Sequence, residues 1–315
     1  MRSTILTKVP MMLLPTLLFG LATTQSTVEQ ALDLAQSQLG ASVIEALQID
    51  AAQGLKGSQW RLDLDFDGQS YSTWLLPTQV RSPSFRAVAN GVQGSSDCTA
   101  PSLGTWRGSL DAMPDVQVAV GRGPDGLRIA VLGDPRGDWF VQPASSLVGR
   151  KADQPGLHLA YRSTSPFQTG DCGVSDDAIS HFVPNSSSAT GAGTDCLSLA
   201  EIAFDVNYER FLYSSDVVLI QSQVDAYLNA VAAIHIRDLR VDYALTHLEI
   251  RTSPGAPYVN DVPGDLLDAM LAEWTTNLAG VQRDLAHLIV GQEMETNVIG
   301  PVSYTHLTLP TIYSV

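Results

Sequence analysis

The sequence predicts an α+β module rich in antiparallel β, followed by an α/β module whose parallel-type sheet is built in βαβαβ order. Three observations predict this. Short alternating strands separated by Gly, Pro and Asp turns fill residues 60–141. A run of small polar residues, 185–193, then interrupts the chain. Beyond it the apolar positions switch between a period of two and a period of three to four, the mark of strands alternating with helices.

The chain has 315 residues, 44% apolar and 16% charged, enough to bury a core and to form about two domains. Its net charge of -15 argues against nucleic acid and anionic membrane as partners, because phosphate binding needs clustered Lys and Arg. Arg2 and Lys8 precede an apolar run over 9–21, and Gly20, Leu21 and Ala22 offer small residues for cleavage. Residues 1–24 are thus expected to be a signal peptide and the protein to be secreted or periplasmic. The run is shorter than the roughly 20 apolar residues a membrane span needs.

Taken in order, Val28, Leu32, Leu34, Leu39, Val43 and Leu47 have loose helical spacing. Trp60, Leu62, Leu64 and Phe66 alternate with polar residues, Asp67-Gly68 marks a turn, and 71–76 returns as the second strand of a hairpin. Asp63, Asp65 and Asp67 superficially open a calcium loop. The closing position that calls for a bidentate Glu is Trp74, so alternating Asp on the wet face of a strand is the better reading. Strands follow at Val116–Val120, at Leu127–Val131 and at 139–141, separated by Gly-Pro-Asp-Gly and Asp-Pro-Arg-Gly turns. Nothing in this β-rich stretch pairs a nucleophile with a base.

Residues 184–194 read as a linker and a maturation site, too small and polar to bury. After it, Ala200, Ile202, Phe204 and Val206 alternate as a strand. Asp216 caps a helix whose apolar stripe is Val217, Ile220, Val224, Tyr227, Val231 and Ile234, giving one buried face. A strand over 239–250 shifts phase at Leu248, which fits burial on both faces or a bulge. Pro263 and Asp265 open a second helix, and 285–290 is a third strand. Connections of this length give parallel strands with right-handed crossovers.

Three Cys are present, at 98, 172 and 196. Export permits disulfides, and the odd number leaves at least one thiol without a partner in this chain.

Residues 201–209, 233–238, 248–253, Pro257-Tyr258, Trp274 and 283–291 resemble, in order and spacing, the N-terminal part of reprolysin-like (adamalysin-type) zinc metalloproteases. The segment from Thr105 to Pro143 is similar in pattern to their prosegments. The resemblance implies a β-rich prosegment over 25–183, the linker over 184–194, and an incomplete metzincin-type α/β domain over 195–300. It also implies a secreted zinc endopeptidase acting on protein or peptide. Cys172, in Asp171-Cys172-Gly173-Val174, resembles a cysteine switch whose thiolate occupies the open zinc position. A disulfide to Cys98 or Cys196 is the competing reading. Glu201 and Asp284 match positions that share a structural calcium in such domains, against a solvated Glu and a helix-terminal Asp.

The expected H-E-x-x-H motif is nowhere in the chain. Three imidazoles on zinc with one open position lower the pKa of a bound water to about 7, and the motif's Glu accepts its proton. His158, His181, His235, His247, His287 and His306 lack that spacing, so no catalytic residue is assigned. Residues 301–311 resemble the translated adapter of a DNA sequencing library, and 301–315 are expected to be a non-native tail. The expectation is therefore a precursor fragment, inactive as written, whose parent binds zinc. The alternative is a noncatalytic exported binding or adhesin-like protein.

Overall fold

The computed structural model describes residues 28–36, 43–49, 59–148, 156–162, 196–255, 257–292 and 294. The expected signal peptide 1–24, Cys172, the expected linker 184–194 and residues 301–315 lie outside these. Helix α1 covers 28–36, and the loose periodicity read as helix up to Leu47 gives way to strand β1 (Ile44–Gln48). Leu47 and Ile49 are buried there, so β-sheet packing outweighs local helical spacing.

Eight strands form a curled, wholly antiparallel sheet in the order β1-β10-β9-β8-β7-β6-β3-β2. They are β2 (Trp60–Phe66), β3 (Gln69–Thr78), β6 (Thr105–Leu110), β7 (Met113–Gly123), β8 (Gly126–Leu132), β9 (Trp139–Pro143) and β10 (Leu157–Arg162), with β1 at the edge. Asp67 and Gly68 both have positive φ, 52° and 70°, the geometry of a tight two-residue hairpin turn matched to strand twist. Alternation in β2 puts Trp60, Leu62, Leu64 and Phe66 into one core with Trp106, Val118, Ile129 and Trp139. Asp63 and Asp65 instead accept hydrogen bonds from Ser72 and Ser70 on β3. Short helix α2 (Ala144–Val148) follows β9.

A second sheet runs β13-β11-β12-β4-β5. It contains β11 (Ser198–Val206), β12 (Val241–Arg251) and β13 (Leu285–Ile289), together with β4 (Arg81–Gly91) and β5 (Gly94–Asp97). Helices α3 (Tyr208–Leu212), α4 (Val217–Leu239) and α5 (Pro263–Thr276) connect the later strands.

This arrangement corrects the expected fold class. The protein is mostly antiparallel β, dominated by the eight-stranded sheet, and the α+β module followed by a metzincin-type α/β domain does not describe it. The sheet of 198–289 is not self-contained: β4 pairs parallel to β12 from Leu245↔Arg81 to Arg251↔Asn90, and β5 closes that edge antiparallel. The physical reason is that β12 is buried from Leu245 to Arg251 and cannot remain an open edge. A strand from more than a hundred residues earlier covers it.

Helix α4 lies between the sheets. Ile220, Val224 and Leu228 pack with Phe204, Leu245 and Leu248 of the mixed sheet. The opposite side meets β7, where a Cβ on Gly121 would stand 2.4 Å from the Cβ of Ala226. The expected single buried face is thus two, and Tyr227 from the expected stripe is 47% exposed. Among the described residues α4 is the one helix long and apolar enough to cross a membrane, and here it is held between two sheets.

Candidate functional site

Two polar clusters and one groove organise the molecule around the mixed sheet. The first cluster joins α4 to the β-rich section. Asn229, fully buried, donates from Nδ2 to the carbonyls of Trp106 (2.9 Å) and Val120 (3.0 Å). Its Oδ1 accepts from Thr78 Oγ1 (2.9 Å) and Arg107 Nε (2.7 Å). One side chain therefore satisfies four groups on three strands, and burial of an amide is tolerated because none of its capacity is wasted. One helical turn earlier, Asp225 accepts from Arg81 Nε (2.8 Å) and Ser102 Oγ (3.2 Å). Burial pushes the Asp225 carboxyl above its usual range, and the Arg81 contact opposes that. Gln221 completes the row, accepting from Ala100 N–H and donating to Cys98 O.

The second cluster lies on the other face of the mixed sheet. Asp205 of β11 is fully buried and receives Arg251 through two bonds, Nε to Oδ1 at 3.0 Å and a terminal nitrogen to Oδ2 at 2.7 Å. Tyr258 Oη (2.7 Å) and Trp274 Nε1 (3.2 Å) also donate to Oδ2. Arg251 reaches on to Glu273 of α5 at 3.0 Å. Burial raises the Asp205 carboxyl, with Arg251 and Tyr258 pulling the other way and Glu249 adding to the rise. Burial also raises the Tyr258 hydroxyl, reinforced by the charge of Asp205. For Arg251 burial acts downward, yet the bonds to Asp205 and the charge of Glu249 outweigh it and raise the guanidinium. The cluster fastens α5 and the segment before it to β11 and β12.

The groove opens beside this cluster. About 500 Å³ in volume, it is lined by Arg86, Val88, Asp97, Thr246, His247 and Gln282, among others. His247 Nε2 lies 3.0 Å from Glu249 Oε2. A histidine oriented by a carboxylate is one half of a nucleophile–base pair. Among the described residues no hydroxyl or thiol hydrogen-bonds His247, so the arrangement can orient an imidazole but lacks an attacking group.

Several of the residues singled out in the sequence meet in space. Asp205, Arg251, Tyr258 and Trp274 share the second cluster, and Arg283 lies over the Trp274 ring at 4.6 Å. Asn207, fully buried, caps α3 by accepting from Arg210 N–H and also accepts from Gly291 N–H (3.1 Å). Gly291 itself is required there, since a Cβ would stand 2.3 Å from Arg210 N. Glu201 and Asp284 are adjacent: Asp284 Oδ2 accepts from Glu201 N–H (2.8 Å) and Asp284 N–H donates to Glu201 O (2.8 Å). Gln282 donates to Glu201 Oε2 at 2.7 Å. With one oxygen of each carboxylate engaged this way, the pair does not by itself fit calcium, which takes six to eight oxygens. Among the described residues no three His, Cys, Asp or Glu side chains group closely enough to hold a metal.

Other sequence candidates have structural partners. His158 is fully buried, Nε2 accepting from Leu127 N–H (3.0 Å) and Nδ1 donating to Gly156 O (2.8 Å). His235 meets Tyr243 Oη at 2.6 Å. His287 packs against Phe204. Cys98 and Cys196 are both unpaired thiols among the described residues, and burial raises the Cys98 thiol. Arg81 and the groove are not legible in the sequence because they depend on strand β4 lying beside β12, and Asn229 is not because its partners lie on β3, β6 and β7.

No family profile matches the chain, and no curated protein matches it either.

Proposed function

We propose that this chain is the precursor portion of an exported zinc endopeptidase of reprolysin-like type, with residues 25–183 acting as prosegment and the zinc ligands carried by a continuation of the parent. The observation that carries this reading is the ordered set of family-like residues between Glu201 and Gly291. The meeting of Arg251, Tyr258 and Trp274 at Asp205, and of Gly291 at Asn207, supports it, because side chains that meet in space are a more specific set than side chains that only recur in sequence. In the parent, zinc would supply an activated water. The residues of this chain would hold the sheet and the α5 segment in place.

A second reading, a noncatalytic exported binding protein, is favoured by the open groove at His247. One experiment separates the two. The uninterrupted genomic reading frame past Gly300 is expressed, and its zinc content and casein hydrolysis are measured beside those of the 315-residue chain. The peptidase reading expects an H-E-x-x-H continuation, about one zinc per chain, and hydrolysis by the long form alone. A continuation without the motif, or zinc-dependent hydrolysis by the 315-residue chain itself, contradicts it.

A further inference from the structure

We infer that the described residues of 43–162 and of 196–294 form an intramolecular complex that persists when the chain is cut between them, because the β12 edge and the polar side of α4 make a groove for an extended strand led by an arginine, filled here by Arg81–Gly91. The inference stands apart from the peptidase reading and does not depend on it.

Parallel neighbours cannot be joined by a tight turn, so β4 reaches β12 only by docking from a distance. Its ends are fixed by backbone bonds, Leu245 N–H to Val80 O at 2.7 Å and Thr252 N–H to Asn90 O at 2.8 Å. Between them Val80 and Ala87 enter the core of the mixed sheet with Phe204, Leu245 and Leu248. The register is set by charge as well as by shape. Arg81 and Asp225 are both under 10% exposed and meet at 2.8 Å. Arg107 adds a second bridge, to Asp242 at 3.2 Å. Arg81 of β4 and Arg107 of β6 both come from the earlier section and both carboxylates from the later one, so charge as well as shape holds the two sections together.

Separating the two sections would strip β4 from the β12 ladder, leave Asp225 buried without Arg81, and leave Asn229 without Thr78 of β3 and Arg107 of β6. A buried carboxylate deprived of its partner is among the most destabilising single losses. Chain connectivity contributes only an effective concentration of roughly millimolar order. The contacts themselves therefore hold the sections together.

The test replaces residues 185–193 of the full chain with the recognition sequence of a site-specific protease. After complete cutting, both fragments are expected to co-elute at the volume of the uncut chain at low micromolar concentration, and to separate only in denaturant. The R81D chain, checked for folding before cutting by circular dichroism, should lose association on the order of 100-fold after cutting. The R81D/D225R chain should regain it. Separation of the cut wild-type fragments overturns the inference, and that arm stands whether or not R81D folds. Undiminished association of the folded R81D fragments overturns the role given to the Arg81–Asp225 pair.

Discussion

Asn229 and His158 show how single side chains decide this fold. Replacing Asn229 with Ala strands two backbone carbonyls, Thr78 and Arg107, and we expect a loss of about 3 kcal/mol in denaturant unfolding. Asn229→Asp should be worse, because it turns an oxygen toward the Trp106 and Val120 carbonyls. For His158, the Leu127 N–H donated to Nε2 requires the neutral tautomer with its proton on Nδ1, and burial lowers its pKa. The unfolded chain then binds a proton that the folded chain refuses. Stability contributed by neutral His158 is complete above the ordinary histidine value of about 6.5 and is lost as pH falls toward the depressed folded value. Urea midpoints should fall between pH 7 and pH 5, and His158→Asn, though less stable throughout, should show a shallower fall. A wild-type midpoint flat over that range would contradict this. Nothing in the sequence around Asn229 distinguishes it from a solvent-facing helix residue, since its four partners come from strands 109–151 residues away.

At the scale of elements, the approach of α4 to β7 rests on the absence of a side chain at Gly121. Gly121→Val should cost about 2 kcal/mol by overpacking against Ala226, and Ala226→Gly in the same chain should recover part of it, read from thermal or urea midpoints. Equal stability of Gly121→Val and wild type would show that the helix can shift freely. Elements with local chemistry are legible in the sequence. Asp216 accepts from the N–H groups of Val218 and Leu219 at the start of α4, and Asp67-Gly68 turns the β2–β3 hairpin. Strands β4 and β5 were not legible. Arg-Ser-Pro-Ser-Phe-Arg has neither clean alternation nor an apolar run, and only β12 on one side and β5 on the other make it a strand.

On the scale of the whole molecule, the small polar run at 184–194 suggests two self-contained units, one on each side. The mixed sheet and the α4 seam cross that division. The site was legible only in part: Asp205, Tyr258 and Trp274 stood out through the family-like order of residues, whereas the groove beside His247 comes from the pairing of β4 with β12, which no local pattern encodes. Residues 195–315 expressed alone lack β4 and would present the β12 edge and the polar side of α4 to solvent. We expect that fragment to be insoluble or unfolded, and to become soluble when residues 25–183 are co-expressed. A soluble fragment with dispersed amide resonances would contradict the shared sheet. Calorimetric unfolding of the intact 315-residue chain shows whether the two sections share one cooperative structure. One endotherm is expected, with calorimetric and van't Hoff enthalpies that agree. Two resolved transitions, one for each side of the linker, would contradict it.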